Sequence, residues 1–407
     1  MTFNLKNFHH NLGKYFHKQC KAQVSKGQKI ISSRIINELP WQLAQAKEYK
    51  RLKTYFKNFI FLNLIIKNNE IDAITYWRQL NSHFTMSEEF VSSLKIDSNF
   101  NCEEPMEMSD KLFTVSAFLL LVATHEVAEV FLRFVLKFDE QNIGMNSVNV
   151  VRDLSSLALE LDRMDRRMEA DDVHDRVIDI LRASTPINST NLAQALCNQA
   201  LHYGTRALEP QAKRCYREAL QILENNNELE NLTYANILCN SSVYDIAFDA
   251  IPKIRYALQI AERIYSNDHV GIVHYLIKLA YRLIEVRPNE SEKLVIRALD
   301  IYNKNFGKQD RRSVEVINIL AGIYQRSYRV SEAESLLRQA LTIELNSNNT
   351  NQLMYANLLE RLAVILVISD KKEEAKSLFL QATNILDKDE IYANIAKRVR
   401  GQLAEIE

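Results

Sequence analysis

Residues 313–344 read SVEVINILAGIYQRSYRVSEAESLLRQALTIE, and residues 354–386 read MYANLLERLAVILVISDKKEEAKSLFLQATNIL. Each stretch contains an apolar segment of helical period, a short polar turn and a second segment of the same kind. A small residue lies in the middle of each first segment, at Ala321 and Ala363. Antiparallel helices need small side chains where their backbones approach most closely. The two stretches therefore predict a repeated helix pair.

Small residues recur upstream at almost the same period. The first-helix series is Ser116, Ala158, Ala200, Cys239, Ala280, Ala321 and Ala363, spaced by 39 to 42 residues. The second-helix series is Val135, Val177, Ala219, Ala257, Ala298, Ala340 and Ala382, spaced by 38 to 42 residues. Two series that agree at each step predict seven helix pairs in residues 109–400. The interval between the series shortens from 19 to 18 residues after Cys239 and Ala280, which predicts an altered turn in those two pairs.

The composition favours an all-α fold and a protein without a strong global field. The chain has only 8 glycines and 6 prolines, and 47% of its residues are hydrophobic. Its 51 basic and 51 acidic residues cancel, so we expect neither nucleic acid nor an anionic membrane to be a partner. Five scattered cysteines form no disulfide framework, and no signal-peptide pattern is present, so we expect a cytoplasmic protein.

Residues 1–108 do not follow the two series, and we predict a separate, smaller helical domain there. Residues 34–56, 59–66 and 71–80 have helical patterns, and Pro40 suits the first turn of a new helix. Residues 97–110, DSNFNCEEPMEMSD, are the predicted linker to the array.

The repeat resembles the tetratricopeptide repeat, which has a Leu–small–x–x–Tyr core in its first helix and two small residues in its second. Leu320, Ala321 and Tyr324 match the first helix, and Ala333 and Ala340 match the second. The resemblance implies a superhelical solenoid of about seven helix pairs. The long repeat period and the Glu332-Ala333-Glu334 motif in the second helix resemble those of kinesin light chains and of nephrocystin-3-type proteins.

Three segments resemble the region that follows the nucleotide-binding module in large signalling NTPases of the STAND type. They are HHNLGKYF at 9–16, ELPWQLAQAKEYKRL at 38–52 and YWRQL at 76–80, and they resemble nephrocystin-3-like proteins. The chain has no P-loop pattern, so this resemblance implies the C-terminal part of such an architecture and no nucleotide cofactor. It also implies a ciliary or cytoskeletal setting with a link to Wnt signalling.

Several polar clusters lack the pattern of a catalytic or metal site. His125-Glu126-Val127-Ala128-Glu129 has only one histidine of the zinc-protease helix, and we interpret it as an exposed helix start. The group His9, His10, His17 and Cys20 has no metal-ligand spacing. Residues 162–167, DRMDRR, alternate in charge, which is typical of a solvated surface. We place Cys197, Cys215 and Cys239 in the core. We expect no enzyme activity, no metal and no cofactor.

The candidate binding residues lie on the first helices, which line the inside of a tetratricopeptide superhelix. Counting from the first-helix series gives six positions for a partner groove: Asn236, Asn240, Glu315, Asn318, Asn357 and Glu360. Asparagine can both donate to and accept from an extended peptide backbone, which suits capture of a peptide or helix. No strong lysine or arginine clamp for an acidic C-terminus is evident.

The leading hypothesis is a scaffold that binds other proteins on its concave surface. One alternative is the sensor or regulatory arm of a STAND NTPase whose nucleotide-binding domain is missing from this chain. Another is a cargo adaptor similar to kinesin light chains, although no sustained heptad run is present. The sequence names neither the partner nor the oligomeric state.

Overall fold

The structure is a computed structural model, which describes residues 5–25, 32–96, 104–346, 352–387 and 393–404. Every regular element in these ranges is helical, which confirms the predicted all-α fold. Contacts between Cα atoms divide the chain into two compact units, Met1–His202 and Tyr203–Glu407. The predicted division at residue 108 stays a prediction.

Six helices precede the repeats in the first unit. They are α1 (Leu5–Ser25), α2 (Ser33–Gln45), α3 (Tyr49–Phe56), α4 (Phe59–Asn68), α5 (Glu70–Asn81) and α6 (Met86–Ile96). One expectation needs correction here. Pro40 lies inside α2 and does not begin a helix. The chain breaks instead at Lys47, whose φ of 59° is left-handed. Apolar periodicity continues across this break and therefore cannot reveal it.

An aromatic cluster around Trp77 anchors these helices. The Trp77 ring lies 5.8 Å from Phe90 and 5.3 Å from Phe118, both edge-on, and all three side chains are fully buried. Phe118 belongs to the first repeat, so one core continues from the early helices into that repeat.

The predicted linker at 97–110 is wrong in its second half, because Pro105 begins helix α7 (Pro105–Val122). Residues 97–103 lie outside the described ranges.

Seven successive helix pairs follow, as predicted. After α7 they are α8 (His125–Asn142), α9 (Val148–Arg163), α10 (Arg167–Ala183), α11 (Ser189–Thr205), α12 (Glu209–Asn225), α13 (Leu232–Ser241), α14 (Ala247–Ile264), α15 (Val273–Leu283), α16 (Pro288–Phe306), α17 (Ser313–Arg326), α18 (Val330–Leu345), α19 (Gln352–Ile368) and α20 (Lys372–Leu386). Helix α21 (Ala393–Ala404) packs on α20. All fourteen residues of the two small-residue series are buried, at 2% exposure or less.

The turn inside a pair takes different forms along the array, and in the first pair Ala123 follows α7 with a φ of −97°. In four pairs a left-handed residue lies seven positions after the first-helix small residue, at Asp165, Ala207, Tyr328 and Asp370. In the pair built around Cys239, a 3-10 turn at Ser242–Tyr244 replaces it. In the pair built around Ala280, α15 ends at Leu283 and Pro288 starts the next helix. The altered turns predicted from the shortened interval are confirmed.

Among the described residues, no helix combines the length and the apolar character that a membrane crossing requires. The cysteines Cys197, Cys215 and Cys239 are buried in the helix packing, as predicted.

Candidate peptide-binding face

The six predicted groove residues lie on three first helices of the second unit. Asn236 and Asn240 lie on α13, Glu315 and Asn318 on α17, and Asn357 and Glu360 on α19. Their exposure differs. Glu315 and Asn357 are exposed, the other three asparagines are half-buried, and Glu360 is buried.

Three of these side chains hydrogen-bond to the next first helix along the chain. Tyr275 Oη donates to Asn236 Oδ1 over 2.6 Å. Glu360 accepts two hydrogen bonds from Arg398 of α21, at 3.1 Å and 2.7 Å. The carboxylate of Glu360 therefore faces a neighbouring helix. Such contacts across repeats hold the helix faces in a fixed register, which a binding surface requires.

Arg361 forms the third of these bridges, and the sequence analysis did not select it. Its Nη1 donates to the Asn318 side-chain oxygen at 2.7 Å and to the Asn318 backbone oxygen at 2.8 Å. The guanidinium lies over Gly322, where an added Cβ would be 2.5 Å from Nη2. Gly322 therefore leaves the space that Arg361 occupies, and Asn318 fixes its orientation.

The charge of Arg361 is not balanced by an acidic partner. It forms no ion pair with any residue in the described part of the chain. Burial is the main cause that lowers the pKa of Arg361, and the positive charge of Arg326 adds to it, while Tyr281 and the negative charge of Glu360 oppose it. A guanidinium nevertheless stays protonated in proteins, so the group remains a half-buried cation. Such a cation favours a carboxylate, because charge-assisted hydrogen bonds to a planar guanidinium are strong and directional.

Aromatic and charged groups surround Arg361. Tyr281 of α15 is 54% exposed, and its pKa is raised by burial and by the negative charge of Glu315, while Arg361 opposes the rise. Tyr281 and Arg326 also line a cleft of about 290 Å³ that includes Arg282 and Val286. The face thus offers a cation, an aromatic ring and amide groups.

A signal for these residues was present in the sequence. The position directly after the first-helix small residue, which gave Asn240, also gives Tyr281 and Gly322. Arg361 and Arg326 bring two basic side chains near each other on this face, where the sequence showed no lysine or arginine clamp. They lie 35 residues apart in the sequence and on different helices, so no local pattern joins them.

Two interpretations of the other polar clusters can now be compared with the structure. The N-terminal histidines have separate partners, since His9 Nδ1 contacts Gln42, His10 contacts Glu48 and His17 contacts Tyr55. The interpretation of residues 162–167 as solvated surface is wrong for Asp162. Its carboxylate is half-buried and hydrogen-bonds to the buried His174 and His202.

No protein-family model matches the chain, and no curated protein matches it significantly. Similar solved structures are helical-repeat proteins. The apo form of the quorum sensor NprR from B. thuringiensis is 11% identical, with 93% of this chain and 97% of that chain covered and a TM-score of 0.53. A tetratricopeptide repeat protein from Parabacteroides merdae is 15% identical and has a TM-score of 0.45. Its alignment covers 72% of this chain and 99% of that chain.

A STAND protein from Pyrococcus horikoshii with a tetratricopeptide repeat sensor is 12% identical, with a TM-score of 0.50. The alignment covers 93% of this chain and 57% of that protein. At these identities the likeness concerns the fold, and it places the chain among proteins with tetratricopeptide-like helix pairs.

Proposed function

We propose that the chain is a protein-binding scaffold and that the face formed by α13, α15, α17 and α19 binds a segment of a partner protein. The observation that carries this proposal is the half-buried Arg361, which is oriented by Asn318 and has no acidic partner within the described residues. Keeping a cation partly desolvated without an anion costs free energy. A bound carboxylate removes that cost.

The rest of the face defines the kind of segment. Exposed Asn357 and half-buried Asn240 offer amide groups, which can bond to the backbone of an extended chain. Tyr281 offers a ring for an apolar side chain. The ligand is therefore an extended segment that carries a carboxylate, either an aspartate or glutamate side chain or a C-terminus, next to an apolar residue.

The narrower setting in ciliary or cytoskeletal assembly and Wnt signalling has only the sequence resemblance to support it. The role of a sensor arm of a STAND NTPase rests on the same resemblance. Both use the binding face proposed above, so a test of this face comes first.

The test is a peptide array probed with the full chain. Each peptide that contains Asp or Glu is accompanied by the same peptide with Asn or Gln in that position. Each peptide with a free C-terminal carboxylate is accompanied by the same peptide with a C-terminal amide. Acidic members are expected to bind, and Arg361→Gln to weaken them about ten- to a hundredfold, since a hydrogen bond to a charged group contributes about 1.5 to 3 kcal/mol. Arg338→Gln is the matched control, because Arg338 pairs with Glu334 and Glu374 on second helices. Equal binding by wild type and Arg361→Gln would contradict the proposal.

A further inference from the structure

A second polar cluster lies in the first unit, whereas the residues of the proposed binding face belong to the second unit. Asp162 lies in the last turn of α9, His174 in the middle of α10, and His202 near the end of α11. Both imidazoles are almost fully buried, at 3% and 2% exposure. The two histidines and the carboxylate that they face lie on three different helices. The packing of a helical-repeat core needs only apolar and small residues, so buried histidines in such an arrangement are unusual.

The ligand-type atoms of these residues converge. One side-chain atom from each of Asp162, His174 and His202 lies within 4.8 Å of the other two. His174 Nε2 is 3.3 Å from Asp162 Oδ2, and His202 Nδ1 contacts Asp162 Oδ1. Tetrahedral Zn²⁺ with bonds of about 2.0 to 2.2 Å separates its ligand atoms by roughly 3.4 Å. Small side-chain rotations would bring the three atoms to that separation.

A fourth residue orients His202. Its Nε2 donates to Asp171 Oδ1 over 2.9 Å, and Asp171 lies one helical turn before His174 on α10. In protein metal sites, a ligating histidine commonly donates its other ring N–H to a carboxylate, which fixes the tautomer and raises the basicity of the ligating nitrogen. Asp171, His202 and Asp162 reproduce this order.

Lone-pair chemistry favours a cation between these groups. A neutral imidazole has one N–H and one lone pair. When His202 Nε2–H donates to Asp171, the Nδ1 lone pair faces the oxygen lone pairs of Asp162. A positive species is needed between the two acceptors, and His174 Nε2 supplies a third donor atom for it. Three converging donor atoms suit a metal ion better than a single proton.

We infer that Asp162, His174 and His202 form a binding site for a divalent first-row cation of the Zn²⁺ class, with Asp171 as the positioning residue for His202. Imidazole nitrogen together with carboxylate oxygen is the donor set that Zn²⁺ accepts. The side chains of Asp162 and Asp171 are 18% and 25% exposed, which leaves a path for the ion on the carboxylate side. The ion would tie α9, α10 and α11 together.

The experiment uses the full chain, stripped with EDTA and then titrated with Zn²⁺ by calorimetry and with Co²⁺ by visible absorption. One site per chain is expected, and the visible Co²⁺ bands should indicate nitrogen and oxygen ligands. His174→Gln and His202→Gln should each remove it. Asp171→Asn should keep the site and weaken it by about ten- to a hundredfold, the effect typical of a residue that orients a metal ligand. Saturating Zn²⁺ should raise the melting temperature of wild type and not of the histidine variants.

Matched controls come from histidines that face a single carboxylate. His125 Nδ1 lies 2.5 Å from Glu160 Oε1, and His10 contacts Glu48. His125→Gln and His10→Gln should leave the site intact. The inference is overturned if wild type takes up no Zn²⁺, if folded His174→Gln or His202→Gln binds Zn²⁺ like wild type, or if a control variant loses the site. Should both histidine variants fail to fold, Asp171→Asn decides, because unchanged Zn²⁺ affinity in that variant contradicts the assignment.

Discussion

Buried charged side chains in the two units include groups whose partners differ in number and in sign. In the first unit, two aspartates share a single arginine inside the first two repeats. In the second unit, a buried glutamate has an arginine of its own, and a further arginine has no ion-pair partner in the described part of the chain. The same residue types at similar burial are therefore expected to respond differently to neutralisation, because their partners differ.

The aspartates of the first unit are Asp139 on α8 and Asp153 on α9, and both are fully buried. Ser109 Oγ donates to Asp139 Oδ2 over 2.6 Å, and Arg152 Nε lies 3.4 Å from Asp153 Oδ1. Asp139 Oδ1 and Asp153 Oδ2 have no hydrogen-bond partner among the described residues. Ionised carboxylates only accept hydrogen bonds, so a proton held by Asp153 would supply a donor that two ionised groups lack. Burial, the hydrogen bond with Asp139 and the charge of Asp139 raise the pKa of Asp153 to about 8, against the opposing effect of Arg152.

The second unit contains both of the other cases. Glu360 is 6% exposed and is held by two hydrogen bonds from Arg398. Arg361, the next residue in the chain, hydrogen-bonds to the uncharged Asn318 and to no acidic group among the residues that the structure describes. The comparison shows that burial alone does not decide whether a charge stabilises the fold. The number and the sign of the groups facing it decide.

The largest effect is expected from breaking the balanced pair in the second unit. Arg398→Met leaves Glu360 buried without its cation and should lower the free energy of unfolding by about 3 kcal/mol, the low end for a buried pair because Arg398 is itself half-exposed. Urea denaturation measures this loss. The double variant Arg398→Met with Glu360→Gln should recover most of it. Arg338→Met, which breaks the exposed pair with Glu374, should cost less than about 1 kcal/mol. Equal losses at both sites would remove the distinction.

A smaller change in the free energy of unfolding, a gain and not a loss, is expected when a buried aspartate of the first unit is neutralised. The folded chain holds a proton on Asp153 up to a pH of about 8, whereas the unfolded chain releases it near the ordinary value of 3.8. The contribution of this group to stability is therefore complete below pH 4 and is lost as the pH rises towards 8. Asp153→Asn imitates the protonated form, so it should flatten the stability profile and exceed wild type at pH 8 by about 2 kcal/mol.

Denaturant titrations at pH 5 and pH 8 measure this change for wild type and Asp153→Asn. Asp165→Asn is the matched control, because Asp165 is an exposed aspartate. Its backbone is left-handed, a conformation that asparagine also tolerates. If the free energy of unfolding changes as much between pH 5 and pH 8 in Asp153→Asn as in wild type, that result would falsify the assignment of a proton to Asp153.

The smallest effect concerns the arginine without an acid. Gly322→Ala improves helix propensity by up to about 1 kcal/mol, but its Cβ displaces Arg361 from Asn318. The two effects should nearly cancel in thermal denaturation. Gly401→Ala in α21 is the control, since its Cβ would meet no neighbour within 4 Å and only the propensity gain remains. A stability gain at Gly322 as large as that at Gly401 would show that Arg361 contributes nothing through Asn318.

The repeat number and the altered turns could be predicted because each depends on local spacing. The small residues at 39- to 42-residue intervals are all buried where helices meet. The prediction at Pro40 was wrong because apolar periodicity runs through the break at Lys47. The importance of Arg361 was missed because its partner Asn318 lies 43 residues away, and its space comes from Gly322 on that same neighbouring helix.

The sequence by itself determined the fold class and the seven-pair organisation, because helical periodicity and small-residue spacing act within a few turns of one helix. Only the tertiary structure decided which polar groups meet. Asp162, His174 and His202, Asp139 and Asp153, and Arg361 and Asn318 are each brought together across helices. The rotation of each helix about its axis decides whether a polar side chain faces solvent or another repeat, and that rotation is set by packing against neighbours far away in the sequence.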